Sequence, residues 1–288
     1  MAKARYPLNQ SPFYKLLGKA KLAATLGVDL RRLDRLLSPK SYHVWETEKG
    51  REIQQPIGWL AQVHKRISFL FARIDLPDYV FSQKGRSYAD NARQHVGVHP
   101  LAKTDISKFY PSTTRHMVWD MFVTQFLCAE DVAGILADIC CYKQQHLPTG
   151  SPLSGRIAFF AARPMFDDIS KLAEEAGNKM TLYVDDVTVS GSQATKSFLS
   201  NVRRIIRRYG LKTKNAKSRT FASHASKMVT GVVVTGDKVA LPNSRHKKIW
   251  SLKHEIRAAS RRDRPKLLRA LKGRESEART VVNGTRGS

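Results

Sequence analysis

The feature that most constrains this chain is a nine-residue run, Thr181-Leu182-Tyr183-Val184-Asp185-Asp186-Val187-Thr188-Val189. β-Branched and aromatic residues fill both flanks, which read as two short strands. Two adjacent carboxylates stand where the strands meet, so the run reads as a hairpin with Asp185 and Asp186 at its tip. Acids in an apolar strand setting repel each other and resist burial. Divalent cations make the pair tolerable, and Mg²⁺ takes a few carboxylates together with substrate phosphates. Viewed alone, the run also fits an ordinary Asp-Asp turn.

A second acid narrows the choice. Leu101–Ile106 reads as a strand that delivers Asp105, followed by Phe109-Tyr110-Pro111-Ser112. An Asp ending an apolar strand, 80 residues before an acid pair, is the layout of a two-metal phosphoryl-transfer site. Two cations about 4 Å apart clamp the attacking and leaving oxygens. One lowers the pKa of the attacking hydroxyl, and the other stabilises the pyrophosphate that leaves.

Charge points to the substrate class. The 288 residues hold 50 Lys and Arg against 24 Asp and Glu, a formal net charge of +26. With 42% hydrophobic and 26% charged residues this is a globular chain of one or two domains, not a disordered one. A surplus of this size calls for an anionic partner, and nucleic acid is the commonest, bound through its phosphates. A membrane surface would instead want one long basic amphipathic helix with exposed apolar residues. No apolar run approaches a membrane span, Ile157–Ala162 being among the longest, and no secretory signal opens the chain. The expectation is a soluble, cytoplasmic protein without a membrane partner. Three cysteines (Cys128, Cys140, Cys141) without CxxC spacing exclude a disulfide framework, and with nine histidines they form no spaced zinc set.

The charge is concentrated. Lys196–Thr220 holds nine Lys/Arg and no acid, and Leu241–Ser288 holds fourteen against four acids. Phe198, Val202, Ile205, Ile206 and Tyr209 share one helical face, with Arg203, Arg204, Arg207 and Arg208 largely off it. Two Arg pairs opposite a core face read as a phosphate-facing wall, or as a plain solvated face. Ser11–Leu37 reads as a basic amphipathic helix closing near Ser38-Pro39. Glu46–Gln55 reads as a hairpin around Lys49-Gly50, and Pro56–Ile74 as a helix with Pro56 at its start. Val132, Ile135, Leu136 and Ile139 mark another helix, and Cys140 continues its face as a buried thiol. Met228–Val234 carries a further strand signal.

At this point the chain resembles a known family. Asp105-Ile106-Ser107-Lys108-Phe109-Tyr110 is similar to the first palm motif of reverse transcriptases, and Tyr183-Val184-Asp185-Asp186 to their YxDD motif. Between them Leu147-Pro148-Thr149-Gly150-Ser151-Pro152-Leu153-Ser154 resembles the Pro-Gln-Gly-x-Pro-x-Ser motif. Gly210-Leu211 through Lys217 resembles the motif that carries the family's lysine near the triphosphate. The resemblance runs from about Arg51 to Gly284. Asn91-Ala92-Arg93-Gln94-His95 and Val229-Thr230-Gly231 match the NAxxH and VTG signatures of retron reverse transcriptases. Ala270-Leu271-Lys272-Gly273 with Val281-Val282-Asn283-Gly284 is similar to their terminal motif.

The resemblance implies an α+β right-hand polymerase with an antiparallel-sheet palm, mostly helical fingers and a short, basic, helical thumb. Residues 1–104 would be N-terminal helices and fingers, 105–240 the palm with a helical segment at about 113–146, and 241–288 the thumb. The 57 residues after Gly231 leave room for a thumb and not for an RNase H or endonuclease domain. The implied activity is RNA-directed DNA synthesis on a structured non-coding RNA that serves as primer and template. The product is RNA-linked, branched single-stranded DNA (msDNA) primed from a guanosine 2′-hydroxyl, often in antiphage defence beside a separate effector protein.

Roles follow by similarity. Asp105, Asp185 and Asp186 bind two Mg²⁺ ions, for which Mn²⁺ is the substitute, with the Ile106 carbonyl as an extra ligand. Tyr110 stands where the family places its sugar gate, a ring that collides with a ribonucleotide 2′-hydroxyl; the alternative is a core aromatic. Gly150 lets the backbone approach the nucleotide. Arg51 and Lys84 or Arg86 clasp the triphosphate of the incoming dNTP, or are surface charges. Lys217 protonates or neutralises the leaving pyrophosphate. Asn91 and His95 contact the cognate RNA or cap local backbone groups, and Val229, Thr230 and Gly231 are assigned with them. Trp250, Leu252, Ile256, Leu267, Leu268 and Leu271 are expected to pack in the thumb, with Arg261, Arg262, Arg264 and Lys266 on phosphates. Two departures stand out. Thr149 replaces the motif's usual Gln, exchanging an amide for a short hydroxyl, and Gly155 stands where many relatives have Pro. A group II intron-like or abortive-infection reverse transcriptase shares the palm motifs. A non-catalytic basic RNA-binding protein accounts for the charge but not for acids at strand ends.

Overall fold

The computed structural model describes residues 4–283. In chain order the elements are α1 (Lys19–Leu26), α2 (Leu33–Leu37), β1 (Tyr42–Glu46), β2 (Glu52–Pro56), α3 (Gly58–Phe71), α4 (Tyr88–Arg93), β3 (Leu101–Asp105), α5 (Phe109–Ser112), α6 (Arg115–Thr124), α7 (Glu130–Cys140), α8 (Ser154–Ala161) and α9 (Arg163–Glu175). They continue with β4 (Lys179–Tyr183), β5 (Asp186–Ser190), α10 (Lys196–Arg208), β6 (Arg219–Phe221), β7 (Lys227–Val229), β8 (Val232–Thr235), β9 (Lys238–Ala240), α11 (Asn243–Ala258) and α12 (Arg264–Asn283).

Two early expectations are corrected. Ser11–Leu37 is not one helix. Gly18 is extended, and Gly27 ends α1 at φ +70°, a left-handed cap that needs no Cβ. Pro56 does not open a helix but closes β2, paired with Tyr42, and α3 starts two residues later. The hairpin around Lys49-Gly50 forms, with Gly50 at φ +71° in its turn.

Two compact units make up the chain. The first takes the segments up to Pro77, Ile106–Asp168 and Ile206–Lys212. Its core is a cluster of rings. Phe13, Phe71, Phe122, Phe126 and Phe160 are fully buried, and Phe71 lies 5.1–6.0 Å from the other four. Tilted and edge-on contacts at such distances suit the ring quadrupoles. α7 turns Val132, Leu136, Ile139 and Cys140 inward at helical spacing, and burial pushes the Cys140 thiol well above its usual pKa.

The second unit takes Asp78–Asp105, Ile169–Ile205 and the chain from Thr213 onward. Its main sheet has the order β4-β5-β3-β6, with β4–β5, β5–β3 and β3–β6 all antiparallel. β7, β8 and β9 form a separate antiparallel meander. Ala89 and Ala92 of α4, Leu101 of β3, Val229 and Val232 of the meander and Val281 of α12 are buried in one cluster. That cluster ties the strand bearing Asp105 to the last helix.

Candidate active site

The hairpin of β4 and β5 turns in two residues, Val184 and Asp185, between the paired Tyr183 and Asp186. Val184 has φ +60°. Two-residue hairpins need a positive φ at their first central position to follow strand twist, and Gly is the usual occupant. A β-branched residue there is strained by roughly 1–3 kcal/mol, a cost that persists only where the surroundings enforce it. In the adjoining strand pair Asp105 stands opposite Asp186. Strand register thus brings together the three carboxylates that the sequence singles out.

Their electrostatics follow from that crowding. Burial pushes Asp186 up to about 6, with Lys103 opposing and Asp105 and Asp185 adding to the rise. Asp185 is raised too, by burial and then by Asp105. Asp105, whose side chain is 6% exposed, is clamped by two ammonium groups: Lys214 Nζ lies 2.6 Å from Oδ1 and Lys217 Nζ 2.7 Å from Oδ2. The hydrogen bond to Asp105 is the main reason the Lys217 pKa is raised. Arg203 holds the segment that carries both lysines, donating to Thr213 Oγ1 at 3.0 Å and to Asn215 Oδ1 at 2.5 Å.

Lys103 and Lys214 are participants that the motifs do not flag. Lys103 lies two residues before Asp105, on the same strand face, and its Nζ is 4.0 Å from Asp186 Oδ2. Lys214 stands three residues before Lys217 in the same basic run. Among the described residues no group of three or more His, Cys, Asp or Glu forms a ready metal cage. Asp105 is instead neutralised by lysines. The donor set still fits a hard divalent cation: it is all-oxygen and anionic, and burial followed by neighbouring acids raises Asp185, while burial outweighs Lys103 to raise Asp186.

The Thr149-Gly150 loop belongs to the first unit. Ser154 Oγ donates to the Pro148 carbonyl at 2.6 Å and closes the loop. His64 lies 2.7 Å from Ser151 Oγ and 2.8 Å from the Ile139 carbonyl, and burial lowers its pKa to about 4, so it is neutral. A Cβ on Gly150 would lie 2.9 Å from the Gln54 carbonyl oxygen. Gly150 therefore packs closely against the backbone of β2. Arg51 is exposed at the hairpin turn, where its N–H donates to Thr47 Oγ1. Tyr110 is half-buried in α5, and a Cβ on Gly155 would sit 3.5 Å from its hydroxyl.

The residues of the two signatures sit mostly inside the fold. Asn91 and His95 are both 0% exposed. His95 bridges Ser190 Oγ and Thr181 Oγ1, each at 2.7 Å, and burial lowers its pKa to about 3. It is a neutral pin between β4 and β5. Val229 is buried as well, and Thr230 and Gly231 are the two-residue turn between β7 and β8, at φ +44° and +80°. Thr230 donates to the Tyr88 carbonyl at 2.7 Å. Tyr88 in turn shares Glu277 with Arg245, while Arg93 donates to the carbonyls of Thr280 and Val281. The two signatures thus assemble the dock for α12.

Among the arginines, Arg86 is engaged by Asp78 and the Val80 carbonyl, and Arg208 by Asp168. Arg204, Arg207, Arg261, Arg262 and Lys84 are exposed. Trp250, expected to pack, is 61% exposed against His254, and Leu268 is also exposed; Ile256 is buried as expected. Gly284 of the terminal motif lies outside the described residues.

An antiparallel sheet thus presents paired acids at one strand end, beside a lysine-bearing segment. The family model of the reverse transcriptase (RNA-dependent DNA polymerase) matches residues 14–239, and the chain belongs to that family. It is similar to the Retron Ec86 reverse transcriptase of Escherichia coli, 27% identical over 73% of this chain and 64% of that protein. The Retron Ec48 reverse transcriptase of Escherichia coli is 26% identical over 72% of this chain and 53% of that one. The Retron Se72 reverse transcriptase of Salmonella heidelberg (strain 579083-10) is 26% identical over 75% and 60%. The chain thus spans between about half and two thirds of the length of these relatives. Among solved structures it is similar in fold to apo telomerase from Candida tropicalis truncated from the C-terminal domain. The TM-score is 0.50 and the identity 13%, covering 71% of this chain and 56% of that one. The fold is the α+β right-hand polymerase fold that the motifs imply. No helix among the described residues is long and apolar enough to cross a membrane.

Proposed function

We propose that the chain is an RNA-directed DNA polymerase of retron type, copying a structured non-coding RNA into RNA-linked single-stranded DNA. The observation that carries this reading is Asp105 set opposite Asp186, with Asp185 beside it at a strained turn. Family membership and the likeness to retron reverse transcriptases support it. Two Mg²⁺ ions, or Mn²⁺ in their place, held by Asp105, Asp185, Asp186 and the Ile106 carbonyl, would supply the charge that activates the primer hydroxyl and neutralises pyrophosphate.

The chain's own groups do the remaining work. Lys217 stays protonated at neutral pH and offers its ammonium to the departing pyrophosphate. Tyr110 excludes the 2′-hydroxyl, and Arg51 and Lys84 clasp the triphosphate. Arg204, Arg207, Arg261 and Arg262 carry phosphate contacts through exposed guanidinium groups. The division into fingers (1–104), palm (105–240) and thumb (241–288), cytoplasmic residence, and a defence role beside a separate effector belong to the same proposal.

The test is Mg²⁺-dependent dNTP incorporation on the RNA that copurifies with the protein, for the native chain and for Asp185→Asn. Loss of one such stabilising group should cost at least ~10²-fold. Undiminished synthesis by Asp185→Asn overturns the site. Branched RNA-linked DNA identifies the retron reaction. Untemplated or protein-primed DNA reassigns the chain to the group II intron-like or abortive-infection type. RNA binding without any synthesis makes it a basic RNA-binding protein.

A further inference from the structure

We infer that Gln54 of β2 is a positioning residue for the nucleotide site, supplying the amide that this chain lacks at position 149. Gln54 is 3% exposed, and a buried amide must satisfy both its carbonyl oxygen and its NH₂ group. The structure shows where these go. Gln54 Oε1 accepts the Thr149 backbone N–H at 2.9 Å and lies 3.0 Å from Thr149 Oγ1. Gln54 Nε2 donates to Glu52 Oε1 at 2.6 Å. The Thr149 hydroxyl donates to the Glu52 carbonyl at 2.7 Å, and the Gly150 N–H to the Gln54 carbonyl at 3.2 Å. The loop at 149–150 is therefore laced to β2 along its backbone, with the Gln54 side chain at the centre.

Two features give this lacing a consequence beyond local stability. First, the motif that the loop resembles carries Gln where this chain has Thr149. A threonine hydroxyl has one proton, and here it is directed to Glu52. It cannot act as an amide as well. Gln54 brings an amide to Thr149 from β2. Second, Glu52, held by both the Gln54 amide and the Thr149 hydroxyl, is the neighbour of Arg51, the candidate triphosphate clasp. Fixing Glu52 and the 149–150 backbone together fixes where Arg51 leaves the hairpin. The pairing also explains the glycine: any side chain at 150 would push the loop off β2. Gln54 acts through Thr149, Gly150 and Arg51 and needs no contact with the nucleotide. The inference rests on the polymerase reading only for its kinetic consequence.

The experiment compares Gln54→Ala, Thr149→Gln and the double variant in the full chain. Two readouts are taken: dNTP KM and kcat on the copurifying RNA, and backbone hydrogen exchange at Thr149 and Gly150. Expected are faster exchange at both amides in Gln54→Ala, and a dNTP KM raised about tenfold with kcat within about threefold, the effect of losing a buried hydrogen-bonding group. In the double variant a glutamine at 149 returns the amide, restoring KM to within about threefold of the native value. Unchanged exchange in Gln54→Ala overturns the inference whether or not the chain polymerises. An equal loss in kcat with KM unmoved, or no rescue by Thr149→Gln, reduces Gln54 to ordinary packing and also overturns it. If the native chain makes no DNA, the polymerase reading fails, while the exchange measurement still decides the lacing.

Discussion

Asp186→Asn should make the metal-free protein more stable while removing its activity. In the folded chain burial and the neighbouring acids push the Asp186 carboxyl from the ordinary 3.8 to about 6. A folded state that holds its proton more tightly than the unfolded state loses stability as pH rises between those two values. At about 1.4 kcal/mol per unit, the ionised carboxylate costs the folded chain about 3 kcal/mol above pH 6. The amide is nearly isosteric and keeps an oxygen for the Thr188 hydroxyl, which lies 3.4 Å away. Only a 4.0 Å ion pair with Lys103 is lost, and its attraction is already part of the shifted value. In chelator at pH 8 the variant should melt roughly 5–10 °C above the native chain, at a few degrees per kcal/mol. The gap should close as pH falls toward 4, where native Asp186 is protonated and resembles the amide. Differential scanning calorimetry from pH 4 to 8 measures both. Equal melting at pH 8, or a gap that persists unchanged at pH 4, refutes the argument that the site carries charge strain.

Other outcomes follow from the same geometry. Gly231→Ala places a Cβ at φ +80°, 3.1 Å from Arg245 Nη2, and should lower stability by about 1–2 kcal/mol in urea unfolding. Arg203→Ala removes the donor to Thr213 and Asn215, so amide exchange across 213–218 should quicken while that of β4 and β5 stays unchanged. His95 is held neutral, with its pKa at about 3 against an ordinary 6.5. Its contribution is complete above pH 6.5 and drains away as pH falls toward 3, so His95→Gln should flatten acid unfolding in that window. Tyr110→Ala should admit ribonucleotides, read as rNTP incorporation relative to dNTP; unaltered discrimination would make Tyr110 a core aromatic.

The acids were legible because strand periodicity and acid placement are local properties. Leu101–Ile106 and Thr181–Val189 read as strands on composition, and pairing of β3 with β5 only had to align their ends. What escaped depends on partners far along the chain. Asn91 and His95 are recognisable as a signature, yet nothing local says that their side chains turn inward. That is decided by Ser190 and Thr181, nearly a hundred residues later. The packing of Gly150 against β2 likewise depends on a distant strand, which no periodicity reveals. Trp250 sits on an apolar-looking period, and only the packing of α11 shows that its ring faces solvent. The short strands β6 and β9 carry too few residues to announce themselves.

The shared burial of Leu101 and Val281 has a consequence in time. A ribosome makes the strand that bears Asp105 long before it makes the helix that completes that strand's support. Contacts this distant in sequence form late and slowly. The nascent chain therefore holds its acids on an unfinished core until α12 has left the ribosome. Asp105 should therefore reach its final packing only after α12 has been made.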